Sequence, residues 1–262
     1  MFNQMTIDKL NMMKLHGMAV AFSEQIETSR YNELTFEERF GMIIDKEMNC
    51  RENRKLKNLL RKAKLRYQSA CIEDMDFRAD RGLSREQIMS LSRNDWIKKS
   101  QNVIITGATG VGKTYLACAL GNSACRGGLS TTYFRLSKLL EELSVAQADG
   151  SYGKMLTALA RVRLLIVDDW GYGSLGDRGR RFMLDVLEDR YSISSLIISS
   201  QIPVTKWHDV IEDPTIADAI CDRIIHNAHT IKLTGESMRK KYSQADRPKK
   251  QQGSPDSEGG IM

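Results

Sequence analysis

The stretch "NVIITGATGVGKT", residues 102–114, decides the fold class of this chain. It begins with a short β-rich run, and its last eight residues match G-x-x-x-x-G-K-[ST] at every fixed position. The helical run "YLACALGNSAC" follows, so the motif stands between a predicted strand and a predicted helix, the context that a phosphate-binding loop requires. The glycines let the backbone curl until its N–H groups point at phosphate oxygens, next to the positive end of the helix.

This loop predicts a nucleotide site. Lys113 is expected to lie across the β- and γ-phosphates, and the Thr114 hydroxyl is expected to bind Mg²⁺. The predicted nucleotide-binding residues are Gly107, Ala108, Thr109, Gly110, Val111, Gly112, Lys113, Thr114 and Tyr115. ATP and Mg²⁺ are therefore the expected cofactors.

Two adjacent carboxylates follow the apolar run in "RLLIVDDWGYG", residues 163–173. A nucleotide site of this kind needs a second strand that delivers a carboxylate to the magnesium ion. We expect Asp168 to hold the metal together with Thr114, and Asp169 to orient the attacking water. The alternative is that both acids form only the polar end of a buried strand.

A further apolar run, "SLIIS", leads into Ser199, Ser200 and Gln201. If this strand lies between the other two, these polar groups lie beside the γ-phosphate, and Gln201 is a candidate catalytic residue. The alternative is that Ser200 and Gln201 are simply the polar end of a strand.

The order of the predicted elements gives the fold class. From about residue 96, helical runs alternate with five β-rich runs, at 102–106, 131–134, 164–168, 195–199 and 230–233. This alternation predicts an α/β fold with a central parallel five-stranded sheet covered on both faces.

The rest of the chain predicts two further parts. Residues 1–95 are predicted to form a small all-α N-terminal domain, in which Thr35 and Glu38 have the spacing of a helix capping box. The α/β domain is assigned to residues 96–242. Residues 243–262 have almost no apolar content and are predicted to be disordered.

The positive charge of the 262-residue chain is concentrated in one segment. Residues 51–66, called here the basic segment, hold eight Lys or Arg and one Glu, whereas the whole chain has a net charge of only +6. Such a patch attracts a polyanion, with nucleic acid the first candidate and an acidic membrane surface the second. The alternative is a solvated helix face. The candidate DNA contacts are Arg51, Arg54, Lys55, Lys57, Arg61, Lys62, Lys64 and Arg66.

A second basic cluster consists of Arg178, Arg180 and Arg181, at the start of the helical run "RRFMLDVLEDRY". These residues could contact DNA, contact a neighbouring subunit, or be solvated.

Several classes of protein are excluded by composition. The five cysteines have no regular spacing, which argues against a disulfide framework or a zinc site. There is no run of 18 apolar residues and no secretory pattern at the start. We therefore expect a soluble cytoplasmic protein without a membrane partner.

The motifs together resemble the IstB/DnaC-like branch of the AAA+ ATPases, and in particular the IstB helper ATPases of insertion-sequence transposition. The resemblance rests on the phosphate loop, on "LLIVDDWGYGSL", on residues 189–233 with "ICDRIIHNAH", and on "GESMRKK". It extends from the basic segment to about residue 241. It implies a P-loop AAA+ core that self-assembles on duplex DNA in an ATP-dependent manner and acts with an IstA-like transposase.

The same resemblance implies roles for two arginines. Arg223 matches the arginine finger, which reaches the γ-phosphate of a neighbouring subunit, and Arg239 matches the second sensor, which acts on nucleotide in its own subunit. Many AAA+ proteins carry Glu where this chain has Asp169, so hydrolysis is expected to be slow. Little sequence follows Arg239, which predicts that the C-terminal helical lid domain is missing.

Three functions remain open at this point. The first is a DNA-acting ATPase that recruits or stimulates a transposase, with hydrolysis stimulated by DNA and by oligomerisation. The second, implied by the DnaC side of the branch, is a loader of a replicative helicase. The third is a small-molecule kinase built on the same phosphate loop, for which the sequence offers neither a closing lid nor an acceptor pocket.

Overall fold

The computed structural model describes residues 2–77 and 81–238, and the predicted disordered tail lies outside them. The strands are β1 (Asn102–Gly107), β2 (Thr131–Arg135), β3 (Leu164–Trp170), β4 (Ser195–Ser200) and β5 (Ala228–Leu233). The α-helices are α1 (Phe2–Met12), α2 (His16–Glu27), α3 (Phe36–Ala63), α4 (Arg85–Ser92), α5 (Asp95–Lys98), α6 (Lys113–Arg126), α7 (Leu136–Ala148), α8 (Tyr152–Ala160), α9 (Gly176–Glu188), α10 (Trp207–Ile211) and α11 (Pro214–Ile225). Two short 3₁₀ turns lie at Ser29–Tyr31 and Val204–Lys206.

The five strands form one parallel sheet in the order β2-β3-β4-β1-β5, which confirms the predicted α/β fold class. Strand β4 lies between β3 and β1, the arrangement on which the expectation for Gln201 depended. Because all strands are parallel, their carboxyl ends meet at one edge of the sheet. The loops that follow β1, β3 and β4 are therefore gathered at that edge.

The sheet is buried on both faces because its strands are apolar at successive positions. In β1, Val103 and Ile105 pack into one core and Ile104 packs into the other, and all three are fully buried. Helices α3, α4 and α6 contribute to the first core, and helices α7, α9 and α11 contribute to the second. A sheet covered in this way on both faces is expected of parallel strands joined by helices.

The long helix α3 carries the basic segment to the sheet. It begins with the predicted capping box: the Thr35 hydroxyl accepts a hydrogen bond from the Glu38 amide at 3.3 Å, and the Glu38 carboxylate accepts one from the Thr35 amide at 2.8 Å. Its 28 residues span about 42 Å at the usual helical rise. The apolar stripe of this helix, Leu56, Leu59, Leu60 and Ala63, packs against the first core.

After α3 the chain continues along the same core. Lys64 ends the helix in the left-handed conformation, with φ 49°, and Leu65, Ala70 and Ile72 are then buried. Residues on both sides of this turn therefore belong to the core of the α/β unit. The division of the chain at residue 95 stays a prediction.

No helix within residues 2–77 and 81–238 combines the length and the apolar character needed to cross a bilayer.

Candidate nucleotide site

The phosphate loop connects β1 to α6 in a backbone shape that depends on glycine. Gly107 and Gly110 have φ values of 151° and 87°. A Cβ atom on Gly107 would lie 2.3 Å from the carbonyl oxygen of Leu233, and one on Gly110 would lie 2.2 Å from the Ser237 hydroxyl. A larger residue would therefore force the loop away from the end of β5 at Gly107, and away from Ser237 at Gly110. The amides that follow open helix α6, which makes this helix start a favourable place for an anion.

Lys113 is held within the loop. Its side chain is almost buried, with 7% of the residue exposed. The ammonium donates hydrogen bonds to the carbonyl oxygens of Gly107 at 2.8 Å and Ala108 at 2.9 Å. The positive charge thus lies on the inner side of the curled backbone.

Asp168 is the centre of a buried hydrogen-bond network. The residue is fully buried, and its Oδ2 atom accepts hydrogen bonds from the Thr114 hydroxyl at 2.9 Å and the Tyr133 phenol at 2.7 Å. The Ser199 hydroxyl donates to Oδ1. Thr114 and Asp168, the two predicted metal ligands, are therefore adjacent. Hydroxyl and carboxylate oxygens are the ligands that Mg²⁺ prefers, so the residues present fit this ion.

Strand β3 has a β-bulge that contains the two adjacent aspartates. Val167 pairs with Ile198 and Trp170 pairs with Ser200, so Asp168 and Asp169 together face Ser199 on the neighbouring strand. Asp169 has φ 60°, a conformation that is uncommon for a residue with a side chain. Because a bulge changes the direction in which side chains point, Asp168 enters the hydroxyl network while Asp169 stays partly exposed. The strand also continues to Trp170, two residues beyond the predicted end.

The three polar residues at the end of β4 have different partners. The Ser199 hydroxyl donates to Asp168, whereas the Ser200 hydroxyl lies 2.9 Å from the carbonyl oxygen of Trp170 and 3.0 Å from that of Ile202, and its single proton can be donated to either. Gln201 accepts a hydrogen bond of 2.7 Å from the hydroxyl of Thr109 in the phosphate loop. Ser200 therefore ties the strand ends together, and Gln201 is the residue that meets the phosphate loop.

Arg223 lies at the opposite end of the sheet. The Asn102 side chain, at the start of β1, donates to the carbonyl oxygen of Arg223 at 3.2 Å. The phosphate loop begins at the other end of that strand, about 17 Å away at the usual rise per residue. The guanidinium contacts Glu188 at 2.7 Å and the Ala219 carbonyl at 2.9 Å. Arg223 is therefore remote from the phosphate loop of its own subunit.

Arg239 lies outside the described residues. The segment just before it contacts the phosphate loop, because the Met238 amide donates to the Gly110 carbonyl oxygen at 2.9 Å. The "GES" stretch of the motif therefore reaches the site.

Comparison with known proteins identifies the family of this chain. The family model described as IstB-like ATP binding protein matches residues 8–246. This chain belongs to that family. An insertion sequence ATP-binding protein of Sinorhizobium fredii (strain NBRC 101917 / NGR234) is 48% identical over 235 residues, which cover 90% of this chain and 96% of the relative. The IS21 ATP-binding protein of Pseudomonas aeruginosa is 30% identical, covering 88% of this chain and 87% of that protein.

Solved structures support the fold. The crystal structure of DnaI has a TM-score of 0.54 and 21% identity, covering 68% of this chain and 94% of that one. AMPPCP-bound DnaA from Aquifex aeolicus has the same TM-score with 19% identity, covering 68% of this chain and 54% of the DnaA chain. The chain is thus an IstB-like protein whose α/β fold is similar to those of DnaI and DnaA.

Two residues near this IstB-like site were missed by the sequence analysis. Tyr133 donates to Asp168, and burial together with that carboxylate raises the pKa of its phenol. Arg81 is 8% exposed, and its Nη1 atom lies 3.7 Å from the position of a Cβ on Gly112, beside the phosphate loop. No sequence signal marks them, because the first depends on the pairing of β2 with β3 and the second on the path of the segment before α4.

The basic segment is exposed along its length. All eight of its Lys and Arg residues are exposed, which is compatible with the predicted DNA contacts. Arg51 is ion-paired with Glu47 at 2.6 Å, and hydrogen bonding from Arg51 is the main cause that lowers the pKa of Glu47. The guanidinium carbon of Arg66 lies 5.8 Å from the centre of the Tyr67 ring.

The second basic cluster lies at the start of α9, as predicted. Arg178 and Arg181 are exposed. Arg180 instead donates to the Ile211 carbonyl oxygen at 2.8 Å and contacts Asp177. Arg180 therefore links α9 to the end of α10 within the subunit.

Proposed function

We propose that this chain is an ATPase that assembles with further copies of itself on duplex DNA and recruits or stimulates a transposase. The observation that carries the ATPase activity is the 2.9 Å contact between Thr114 and Asp168, next to a lysine held inside a phosphate loop. The AAA+ core and the IstB-like family support the use of ATP.

Different residues of the site contribute to different parts of hydrolysis. Backbone amides at the start of α6 and the Lys113 ammonium bind the phosphates, and Thr114 and Asp168 hold Mg²⁺. When bound, this ion would neutralise charge on the β- and γ-phosphates. Asp169, turned away from Asp168 by the bulge, orients the attacking water, and Gln201 bonds to Thr109 at the same edge.

Two arginines complete the site in different ways. Arg223 lies at the amino end of the sheet, so it acts on the γ-phosphate held by a neighbouring copy. Arg239 acts in its own subunit, which is supported by the contact between Met238 and Gly110 immediately before it. Complete activity therefore requires assembly of several copies.

The DNA role rests on the exposed basic segment, with the start of α9 as a second candidate surface. Lysines and arginines that contact phosphates give affinity with little dependence on base sequence, and this affinity falls steeply with salt. The transposase role rests on the relatives, which are named insertion sequence ATP-binding proteins.

Electron microscopy of the protein with duplex DNA tests this function in ATP, in ADP and without nucleotide. We expect regular assemblies on DNA in ATP only, and hydrolysis that DNA stimulates. Monomeric particles in all three conditions would contradict the proposal. A pull-down with the transposase and with a replicative helicase separates the two partner classes, and we expect capture of the transposase.

A further inference from the structure

Arg223 is held by two hydrogen bonds at the amino end of the sheet. Its Nη1 atom donates to the carbonyl oxygen of Ala219, one turn earlier in α11, at 2.9 Å. Its Nη2 atom donates to Oε1 of Glu188, the last residue of α9, at 2.7 Å. The guanidinium is therefore fixed at two points, one on its own helix and one on a neighbouring helix.

The two helices that carry this ion pair are packed against each other. Leu187 in α9 and Ile224 in α11 are both buried in the second core. Glu188 directly follows the first of these residues, and Arg223 directly precedes the second. The backbones that carry the two charges are thus held together by the core, and their separation does not depend on the ion pair itself.

The turn after Glu188 is fixed to the sheet as well. Arg190 is only 1% exposed, and its guanidinium donates to the carbonyl oxygens of Val162 at 2.8 Å and Ser195 at 2.6 Å. Val162 lies just before β3 and Ser195 begins β4, so these hydrogen bonds hold the turn at the amino end of the sheet. The backbone that carries the Glu188 carboxylate is therefore rigid.

The guanidinium of Arg223 keeps donors for a further ligand. Asp222, the acid next to it in sequence, lies instead 3.0 Å from Nε2 of His226, so the printed distances pair Arg223 with Glu188. A guanidinium has five N–H groups, and the hydrogen bonds to Ala219 and Glu188 use two of them. The Arg223 side chain is 24% exposed. It can therefore bind phosphate oxygens while Glu188 still holds it.

We infer that Glu188 is a positioning residue, which holds the Arg223 guanidinium in the direction needed to reach the γ-phosphate bound by a neighbouring copy. An arginine whose rotamer is already set loses less side-chain entropy when the copies assemble. Glu188 lies with Arg223 at the amino end of the sheet, so it acts on the nucleotide of the neighbour and not on its own. This inference rests on the proposed function, which assigns Arg223 to a neighbouring nucleotide site.

Steady-state hydrolysis with saturating DNA tests the role of Glu188. Because a misplacement of about 1 Å can cost about 10²-fold in rate, we expect Glu188→Ala to lower kcat about ten- to hundredfold, with KM for ATP unchanged. Glu188→Gln keeps an acceptor oxygen at the same chain length and should recover part of the loss. Normal turnover in Glu188→Ala would overturn the inference.

Two controls separate positioning from general damage. Glu141→Ala removes another exposed carboxylate, which is paired with Lys138 at 3.0 Å, and it should leave turnover unchanged. The affinity of monomeric Glu188→Ala for a fluorescent methylanthraniloyl ATP should equal that of the unmodified protein. A loss of this affinity would mean damage to the nucleotide site of the same copy and would count against a positioning role.

Mixed assemblies test whether Glu188 acts through Arg223 on the neighbouring copy. Asp169→Asn copies are expected to bind ATP and to keep Arg223 without hydrolysing, whereas Arg223→Ala copies keep the hydrolytic residues and lack the arginine. A mixture should recover turnover, because the first kind supplies Arg223 to the second. Glu188→Ala added to the Asp169→Asn copy should remove most of this recovery, whereas Glu188→Ala added to the Arg223→Ala copy should leave it unchanged. Equal loss in both mixtures would indicate a structural role and would overturn the inference.

The same measurements distinguish failure of the inference from failure of the proposed function. Normal turnover in Arg223→Ala, or no recovery in the first mixture, would refute the assignment of this arginine to a neighbouring site, and the role of Glu188 would fall with it. Low turnover in Arg223→Ala and recovery in the mixture, together with normal turnover in Glu188→Ala, would overturn the role of Glu188 alone.

Discussion

The carboxyl end of the sheet and the basic segment hold the two groups of charged residues that the proposed function needs, and they are built differently. At the sheet end, Asp168 is fully buried and accepts hydrogen bonds from three hydroxyls, while Lys113 is bound by two carbonyl oxygens. In the basic segment every Lys and Arg is exposed. One region is thus organised in advance for a small ligand, and the other offers solvated charge to a large one.

The energies of the two environments differ accordingly. A hydrogen bond to a charged group is worth about 1.5–3 kcal/mol, whereas an exposed ion pair contributes about 0–1 kcal/mol. Single substitutions at the carboxyl end of the sheet should therefore have large effects on either nucleotide binding or hydrolysis. Those in the basic segment should have small effects that add along the segment.

Arg223→Ala is the largest expected effect, and it tests whether a residue remote from its own phosphate loop nonetheless belongs to a nucleotide site. Arginine fingers contribute about 10³ to 10⁵ in rate where they have been measured, so we expect turnover in the assembly to fall by at least about 10³. Nucleotide affinity of the monomer should not change. The measurement is steady-state hydrolysis with saturating DNA, compared with fluorescent nucleotide binding.

The control for Arg223 is Arg126→Ala, which removes another ion-paired arginine, an exposed one that contacts Glu73. It should leave turnover unchanged. Normal turnover in Arg223→Ala would refute the assignment of this arginine to a neighbouring site.

Asp169→Asn has the next largest expected effect. It tests whether the two aspartates of the bulge have different roles. The amide keeps the size of the side chain but cannot accept a proton from water, and general-base groups contribute about 10² to 10⁴ in rate. We expect hydrolysis to fall by about 10² or more, with nucleotide binding and ATP-dependent assembly retained. Loss of nucleotide binding in Asp169→Asn would instead show that this residue supports the structure of the site.

The nucleotide end could be predicted largely from sequence because its parts lie at fixed spacing. The motif from Gly107 to Thr114 determines both the loop and the start of α6, and the apolar runs predict β1, β3 and β4 within two residues at each end. The sequence did not predict the strand order: the position of β4 between β3 and β1 was only a condition for the role of Gln201, and it depends on pairing between distant segments.

Other features depended on pairing between segments that are distant in sequence. Tyr133 enters the site because β2 pairs with β3. The bulge at Asp168 and Asp169 depends on the register of β3 and β4.

Lys113→Ala tests phosphate binding at the carboxyl end of the sheet. It removes a nearly buried cation that is expected to bind the phosphates, a contact worth about 2–3 kcal/mol, or about 30- to 150-fold in affinity. Binding of the fluorescent ATP analogue measures the loss. Lys98→Ala, which removes an exposed lysine paired with Asp95, is the matched control and should bind nucleotide normally. Equal nucleotide affinity in the two variants would show that Lys113 does not bind the phosphates.

Single and combined alanine substitutions at Lys55, Lys57 and Lys62 test the basic segment. Each single change is expected to have the smallest effect of the substitutions proposed here. All three are exposed on α3, so each should weaken DNA binding only a few-fold at moderate salt while reducing the salt slope by about 0.9. Nucleotide affinity and its Mg²⁺ dependence should not change, because the charges of these exposed side chains are solvated and screened by salt. A large loss from any one lysine would mean that the basic segment, like the sheet end, contains a specific and pre-organised contact; equal small losses that add would mean that it binds DNA as a diffuse positive surface.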